Sequence, residues 1–216
     1  MLNSSTLSNF FNWLFATNSQ QTMWYITRSA GWISYLLLWF STVWGLALPI
    51  KAFKKWLSPT FTFDFHQYIS LLAIGFMTLH VSVLLFDKYL PFTLSQILFP
   101  FLSTYRPLWV GLGVIGFYLT LLVTVTFYLR SRIGMKTFKS IHLLSFLAYI
   151  GATFHGFFAG TDSSLTVAML MYLSTFLVIV FLTTYWLVMA WIDKKRPAEI
   201  PHSQPARTMQ KTPQYR

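Results

Sequence analysis

Long apolar segments alternate with short polar ones along most of the chain. A helix needs about 20 mainly apolar residues to cross a bilayer. Five segments meet this requirement, at residues 29–50, 66–86, 107–129, 141–160 and 165–192. The pattern therefore predicts an all-α fold, a polytopic membrane helix bundle of about five transmembrane helices.

The N-terminal segment, residues 1–22, has a different pattern. Its apolar residues form one short cluster between polar runs: Leu7, Phe10, Phe11, Trp13, Leu14 and Phe15. Such a segment is typical of an amphipathic helix lying in the membrane interface. No basic stretch precedes it and no small-residue cleavage site follows closely, which argues against a signal peptide. We predict an interfacial segment at 1–22, a membrane domain at 23–193 and a basic cytoplasmic tail at 194–216.

Composition narrows the possible protein classes. The chain has 216 residues, of which 55% are hydrophobic and only 10% are charged. Soluble globular domains carry about 25% charged residues, and disordered chains are poor in hydrophobic ones, so both classes are excluded. The chain contains no cysteine. This excludes disulfides, thiolate metal sites, iron–sulfur clusters and a cysteine nucleophile.

The net charge of +11 indicates orientation. With the N-terminus outside, only Arg28, Lys88 and Arg106 lie on the outer side. All the others lie inside: Lys51, Lys54, Lys55, Arg130, Arg132, Lys136, Lys139, Lys194, Lys195, Arg196, Arg207, Lys211 and Arg216. Lys and Arg concentrate in cytoplasmic loops, so we predict a multi-pass protein of the plasma (inner) membrane with a cytoplasmic C-terminus. No soluble face combines basic and aromatic residues as nucleic-acid binding requires.

Four histidines lie within two of the predicted spans. His66 and His80 belong to the second span, and His142 and His155 belong to the fourth. An ionisable residue inside a membrane is costly and indicates a functional site by default. A hydrogen bond to a neighbouring helix would explain one isolated histidine, but it explains four paired ones poorly. His202, in the tail, is expected to be solvated.

The spacing of these histidines predicts two pairs at matched depths. The second and fourth spans run in the same direction, and their histidines are 14 and 13 residues apart. These separations correspond to about 21 and 19.5 Å along a helix. Two histidines at each level are too few for a structural zinc site. A haem iron needs two axial ligands, so we predict two bis-histidine b-type haems stacked across the bilayer.

The 13-residue spacing carries a geometric difficulty. On a straight helix it turns His142 and His155 about 140° away from a shared face. A tilt, a kink near Gly151 or Gly156, or laterally offset haems would each remove this difficulty.

Around these residues the sequence resembles the ferric reductase-like transmembrane domain family. That family includes ferric-chelate reductases, NADPH oxidases and, more distantly, the haem subunit of the bacterial methionine sulfoxide reductase system. The matching stretches are FHQYISLLAIGFMTLH at 65–80, YRPLWVGLGVIGFYLTLLVT at 105–124 and RSRIGMKTFKSIHLLSFLAYIGATFHGFFAGTD at 130–162. The resemblance implies that His66 pairs with His142 and His80 with His155 as axial ligands. It also implies electron transfer from a reduced flavin inside to an acceptor outside.

The sequence departs from the large reductases of this family. Residues 194–216 are too few for a flavin- or nicotinamide-binding domain, and no G-x-G-x-x-G motif is present. We therefore expect no flavin bound by a dedicated domain of this chain. The expected donor is a cytoplasmic flavoprotein reductase or a membrane quinol. The expected acceptor is extracytoplasmic, such as a ferric chelate, dioxygen or a partner protein.

Two further residues are candidates at the predicted haem sites. Gly156, beside His155, would let a porphyrin approach the backbone. Helix packing better explains most of the other glycines considered, which are Gly75, Gly111, Gly113, Gly116, Gly151 and Gly160. Arg106 would meet a haem propionate in a charge-assisted bond, or would simply snorkel at the start of the third span. The loop before it, 88–106, is either a cover over the outer haem or a plain connector.

Two other functions remain open. A closely related one is the haem membrane subunit of a periplasmic reductase system. A function of another class is a haem-free proton or ion carrier with a histidine relay. Against the carrier, the acids near the spans all lie at span ends: Asp64, Asp87, Asp162 and Asp193. We expect the chain to be the membrane haem component of an oxidoreductase.

Overall fold

The computed structural model describes residues 19–49, 55–87 and 90–195. Within those residues it contains helices and no strand, which confirms the predicted all-α fold. In chain order the helices are α1 (Ser19–Ala47), α2 (Pro59–Leu84), α3 (Leu94–Leu98), α4 (Pro107–Tyr128), α5 (Arg130–Ile133), α6 (Met135–His142), α7 (Leu144–Ala159) and α8 (Thr166–Lys195). Of the interfacial segment predicted at 1–22, residues 1–18 lie outside the described residues and residues 19–22 belong to α1. Lys51, Lys54, Lys88 and residues 196–216 with His202 also lie outside the described residues.

Five segments are long and apolar enough to cross a membrane, as predicted: Thr22–Ala47, Pro59–Leu84, Pro107–Tyr128, Met135–Ala159 and Thr166–Ile192. The first, second and fourth begin six or seven residues earlier than the apolar pattern indicated. At α2 the Ser58 hydroxyl accepts a hydrogen bond from the Phe61 amide at 3.1 Å, and Pro59 occupies the first turn. Capping residues of this kind set a helix start, whereas the onset of apolar residues marks only where the membrane core begins.

The fourth span consists of two helices. It is interrupted at Leu143, between α6 and α7, and the Phe146 amide donates to the Leu143 carbonyl three residues back at 3.2 Å. Helix α7 continues without a break through Gly151 and Gly156, so neither glycine is the site of the interruption. The interruption directly follows His142, so residues 142–155 are not one regular α-helix. The angle calculated for a straight helix therefore does not apply to His142 and His155.

The helices form two closely packed pairs. Helix α1 packs along α2, and α4 packs along α7, while α8 lies against α1 and α7. Small residues permit the second contact, because a Cβ on Gly116 would lie 3.2 Å from the Ala148 carbonyl oxygen. A Cβ on Gly151 would likewise lie 3.1 Å from the Leu112 carbonyl oxygen. Close backbone approach through glycine is typical of membrane helix contacts.

A hydrogen-bonded group of side chains joins α1, α7 and α8 in the core. The Tyr35 hydroxyl lies 3.2 Å from the Tyr149 hydroxyl and 2.7 Å from Thr175 Oγ1. Tyr149 has 0% of its surface exposed. Buried hydroxyl groups are costly without partners, so Tyr35 satisfies two groups that have no access to water.

Replacing Tyr35 by phenylalanine is expected to destabilise the bundle. The Tyr149 hydroxyl loses this hydrogen bond, at a cost of about 1–3 kcal/mol in the free energy of unfolding. Thermal unfolding in detergent measures the effect. Tyr25→Phe is the matched control, because Tyr25 is on the same helix with 61% of its surface exposed. Equal stability of the two variants would show that the core hydroxyl contributes nothing.

Candidate functional site

Two cavities open between the α1–α2 pair and the α4–α7 pair, and each is lined by two of the membrane histidines. The first, which we name site 1, contains His66 of α2 and His142 of α6. The second, site 2, contains His80 of α2 and His155 of α7. The cavity volume is about 530 Å³ at site 1 and about 230 Å³ at site 2, and both cavities are open to their surroundings. Cofactor pockets typically enclose about 300–1,000 Å³, so site 1 lies within that range and site 2 just below it.

The two histidines of each site face one another at a distance suited to a shared metal ion. The ring centres of His66 and His142 are 6.2 Å apart, and those of His80 and His155 are 6.3 Å apart. With metal–nitrogen bonds of about 2 Å and about 1 Å from nitrogen to ring centre, imidazoles on opposite sides of one ion have centres about 6 Å apart. In the described residues no three His, Cys, Asp or Glu side chains cluster around a possible metal position. A pair of histidines at each site would suit a haem iron, which takes its other four ligands from the porphyrin.

Hydrogen bonds orient three of the four rings. At site 2, His80 Nδ1 donates to the Thr27 carbonyl oxygen at 2.8 Å, and His155 Nδ1 donates to the Trp109 carbonyl oxygen at 3.0 Å. At site 1, His66 Nδ1 lies 3.4 Å from the Ser41 hydroxyl oxygen. A histidine whose Nδ1–H donates to a carbonyl keeps Nε2 free as a metal ligand, in a fixed ring orientation.

The same three rings share a second feature, which is a glycine beneath the ring. Each glycine comes four residues after the residue that hydrogen-bonds the ring. The groups are Thr27 and Gly31 with His80, Ser41 and Gly45 with His66, and Trp109 and Gly113 with His155. A Cβ on these glycines would come within 3.1, 3.2 and 2.5 Å of the respective ring atoms. An alanine in place of Gly113 would therefore force the His155 ring to shift, whereas one at Gly31 or Gly45 would need the ring to give by a few tenths of an ångström.

Charged side chains are few in the two cavities. Among the described lining residues, site 1 has Lys139, and site 2 has Arg28, Asp87 and Asp162. Arg28 forms an ion pair with Asp162 and lies 3.8 Å above the Trp24 ring. It thereby ties the start of α1 to the loop after α7.

Comparison with known proteins identifies the family to which the chain belongs. A family model described as ferric reductase like transmembrane component matches residues 30–153, more than half of the chain. The chain belongs to this ferric reductase-like family. Searches of curated proteins and of solved structures returned no match.

Membership of the ferric reductase-like family indicates transmembrane electron transfer by a multi-pass membrane protein. The family is generally haem-binding, and its membrane component implies redox partners. The matched range includes His66, His80 and His142 and ends two residues before His155.

Sequence analysis of this ferric reductase-like chain missed the glycines of α1. Gly31 and Gly45 are 14 residues apart, the same spacing as His66 and His80 on the neighbouring helix. Because α1 and α2 are antiparallel neighbours, equal spacings bring each glycine to the depth of one histidine. The equal spacing of the two glycines and the two histidines in the sequence therefore indicates that each glycine lies beside one histidine. Gly113 had been attributed to helix packing, whereas it lies against the His155 ring.

Gly156 lines site 2, as expected for a residue beside His155. A Cβ at Gly156 would lie 2.5 Å from the Tyr172 hydroxyl oxygen, so this glycine also admits the tyrosine of α8. A role in porphyrin approach stays a prediction.

Arg106 has a different environment from the one that the sequence suggested. Its guanidinium donates to the Phe158 carbonyl oxygen at the end of α7 and lies 5.3 Å from the Tyr105 ring centre. It is not among the described residues that line site 2, where Arg28 is the cation. Contact of Arg106 with a haem propionate stays a prediction, and Arg28 is the candidate that the sequence analysis overlooked.

The loop before α4 lies over site 2. Gln96 and Ile97 of α3 line the cavity, and the Tyr118 hydroxyl of α4 donates to the Leu98 carbonyl at 2.6 Å. Further along, the Tyr105 hydroxyl donates to the Ala159 carbonyl at 3.0 Å. Of the two alternatives, the structure favours a cover that is fastened to α4 and α7.

Proposed function

We propose that this chain carries electrons across the plasma (inner) membrane, with one b-type haem at each of the two sites. The observation that carries the proposal is the pair of ring-centre distances, 6.2 Å at site 1 and 6.3 Å at site 2. A haem bound at either site would supply a one-electron couple. The 14 residues between His66 and His80 separate the sites by about 21 Å along α2, enough for each cavity to hold its own cofactor.

The residues of the chain have three tasks in this proposal. His66 and His142, and likewise His80 and His155, are the metal ligands. The carbonyl groups of Thr27 and Trp109 fix the rings of site 2 through the bonds described above. The surrounding apolar helices keep water from the sites and separate them from the aqueous phases.

In the proposed orientation the N-terminus is outside, the C-terminus is cytoplasmic and site 1 is the site nearer the cytoplasm. Support comes from the described cations around α5 and α6, at the site 1 end: Arg130, Arg132, Lys136 and Lys139. Arg132, Lys136 and Lys139 are exposed. This face suits an acidic cytoplasmic flavoprotein reductase as the donor, because charge complementarity speeds and orients docking. A membrane quinol is the other proposed donor, and the acceptor is extracytoplasmic.

A haem-free proton carrier has less support from the same contacts. A relay needs each histidine to pass a proton to a group that can accept and release it. At site 2 the Nδ1 atoms of both rings are bonded to backbone carbonyl oxygens, which serve as fixed acceptors and do not hand a proton on.

Liposomes containing the purified full-length chain test the proposed function. With ferricyanide trapped inside and a membrane-impermeant reductant added outside, the trapped ferricyanide is expected to be reduced much faster than in protein-free liposomes. The double variant His66→Leu/His155→Leu, which lacks one ligand of each pair, is expected to fall to the protein-free rate. His202→Leu is the matched control and should keep the full rate. Equal rates for the double variant and the unmodified chain would contradict the proposal.

A further inference from the structure

The two sites differ in how the chain holds the nitrogen of each histidine that does not face the metal position. At site 2 both Nδ1 atoms donate to carbonyl oxygens, at 2.8 and 3.0 Å. At site 1 the His66 ring interacts with the Ser41 backbone, and its Nδ1 has a long contact of 3.4 Å with the Ser41 hydroxyl. The His142 Nδ1 is buried and has no hydrogen-bond partner in the part of the chain that the structure describes.

The arrangement of α4 explains why His142 is the exception. At site 2, Gly113 opens α4 so that the His155 ring reaches the Trp109 carbonyl. Fourteen residues later, at the depth of site 1, the corresponding position of α4 is Phe127. No glycine lies there to admit a ring. The His142 ring instead packs on Phe138, with ring centres 5.2 Å apart.

The charged residues around the two sites differ as well. Among the described residues lining the cavities, site 1 has one cation, Lys139, and no carboxylate. Site 2 has two carboxylates, Asp87 and Asp162, against the single cation Arg28. A nearby cation favours the reduced iron and a nearby carboxylate favours the oxidised iron, because reduction removes one positive charge from the metal.

We propose that the two sites are unequal, with site 1 having the higher reduction potential and the weaker hold on its haem. The inference rests on the function proposed above. Donation from Nδ1–H to a strong acceptor makes the imidazole a more basic ligand, which stabilises ferric iron and tightens binding. Site 2 has two such bonds, whereas at site 1 the His142 Nδ1 has no partner among the described residues. A single electron on the chain therefore resides mainly on the haem of site 1. In the proposed orientation this site is on the donor side.

A redox titration of the purified full-length chain, followed by its absorption spectrum, tests the inference. Reduction at either site adds one electron, which the titrant supplies through mediators. We expect two separate one-electron steps. His66→Leu should remove the step of higher potential, and His80→Leu should remove the step of lower potential. His142→Leu and His155→Leu repeat the assignment with the other ligand of each pair, in case one variant does not fold.

A second measurement uses transfer of haem to excess apomyoglobin. Loss of a hydrogen bond to a metal-bound histidine typically lowers metal affinity about 10–100-fold. Haem is therefore expected to leave in two phases, with the faster phase absent from His66→Leu. Thermal unfolding of each variant in detergent shows that the bundle remains folded.

The results separate failure of the inference from failure of the proposed function. Two bound haems that titrate in one step, or a higher-potential step that survives in His66→Leu, would overturn the inference and leave the function standing. Haem that leaves site 2 faster than it leaves site 1 would also overturn the inference. A chain that binds no haem when haem is supplied would overturn the proposed function itself.

Discussion

Replacing His155 by leucine is expected to leave the chain with one haem instead of two. His80 and His155 line one cavity, and His66 and His142 line another. The loss of one ligand at site 2 therefore leaves both ligands of site 1 in place. The haem content per chain, measured from the pyridine haemochrome spectrum, should fall by half, and His142→Leu should give the same loss at the other site.

The matched control for this prediction is His202→Leu, which is expected to retain both haems. Circular dichroism establishes that each variant keeps its helical content. A His155→Leu protein that folds and binds two haems would show that His155 is not a ligand. A folded variant that loses both haems would show that the sites are not independent.

Gly113→Ala is expected to damage site 2 without altering a ligand. The new Cβ would lie 2.5 Å from His155 Nδ1 and 2.7 Å from its Cγ, so the ring has to move away from the Trp109 carbonyl. Loss of such an orienting bond costs about 10–100-fold in metal affinity. Haem titration of the variant should therefore show one tight site and one that is weakened by at least about tenfold.

The matched control for Gly113→Ala is Gly75→Ala. Apart from its chain neighbours and its own helix backbone, none of the described residues has an atom within 4 Å of a Cβ built on Gly75. This variant should bind haem as the unmodified chain does, and the helix should gain about 0.5–1 kcal/mol because alanine restricts the unfolded chain. If both alanine variants bind haem equally well, the glycine beneath His155 has no role in the site.

Much of the fold and part of the site follow from the sequence. The five spans follow because the bilayer demands about 20 apolar residues from each helix. The partners of His66 and His80 follow from spacing, since helical rise converts residue number directly into depth. The structure brings His66 to His142 and His80 to His155, with ring centres 6.2 and 6.3 Å apart.

Other features depend on contacts that spacing does not reveal. The interruption at Leu143 has no proline or glycine adjacent to it. The ion pair between Arg28 and Asp162 joins residues 134 positions apart, and its formation depends on how α1 packs against α7. The position of Gly113 beneath the His155 ring becomes apparent only when the packing of α4 against α7 is known, because glycine is also common at plain helix contacts.

The number of haems bound to the intact chain tests the central claim most directly. The measurement is the pyridine haemochrome spectrum of the purified full-length protein, produced with haem supplied and related to protein concentration by amino-acid analysis. Two cavities, each with a histidine pair at the separation expected for one shared iron, predict two b-type haems per chain. A value of one or none would contradict the account.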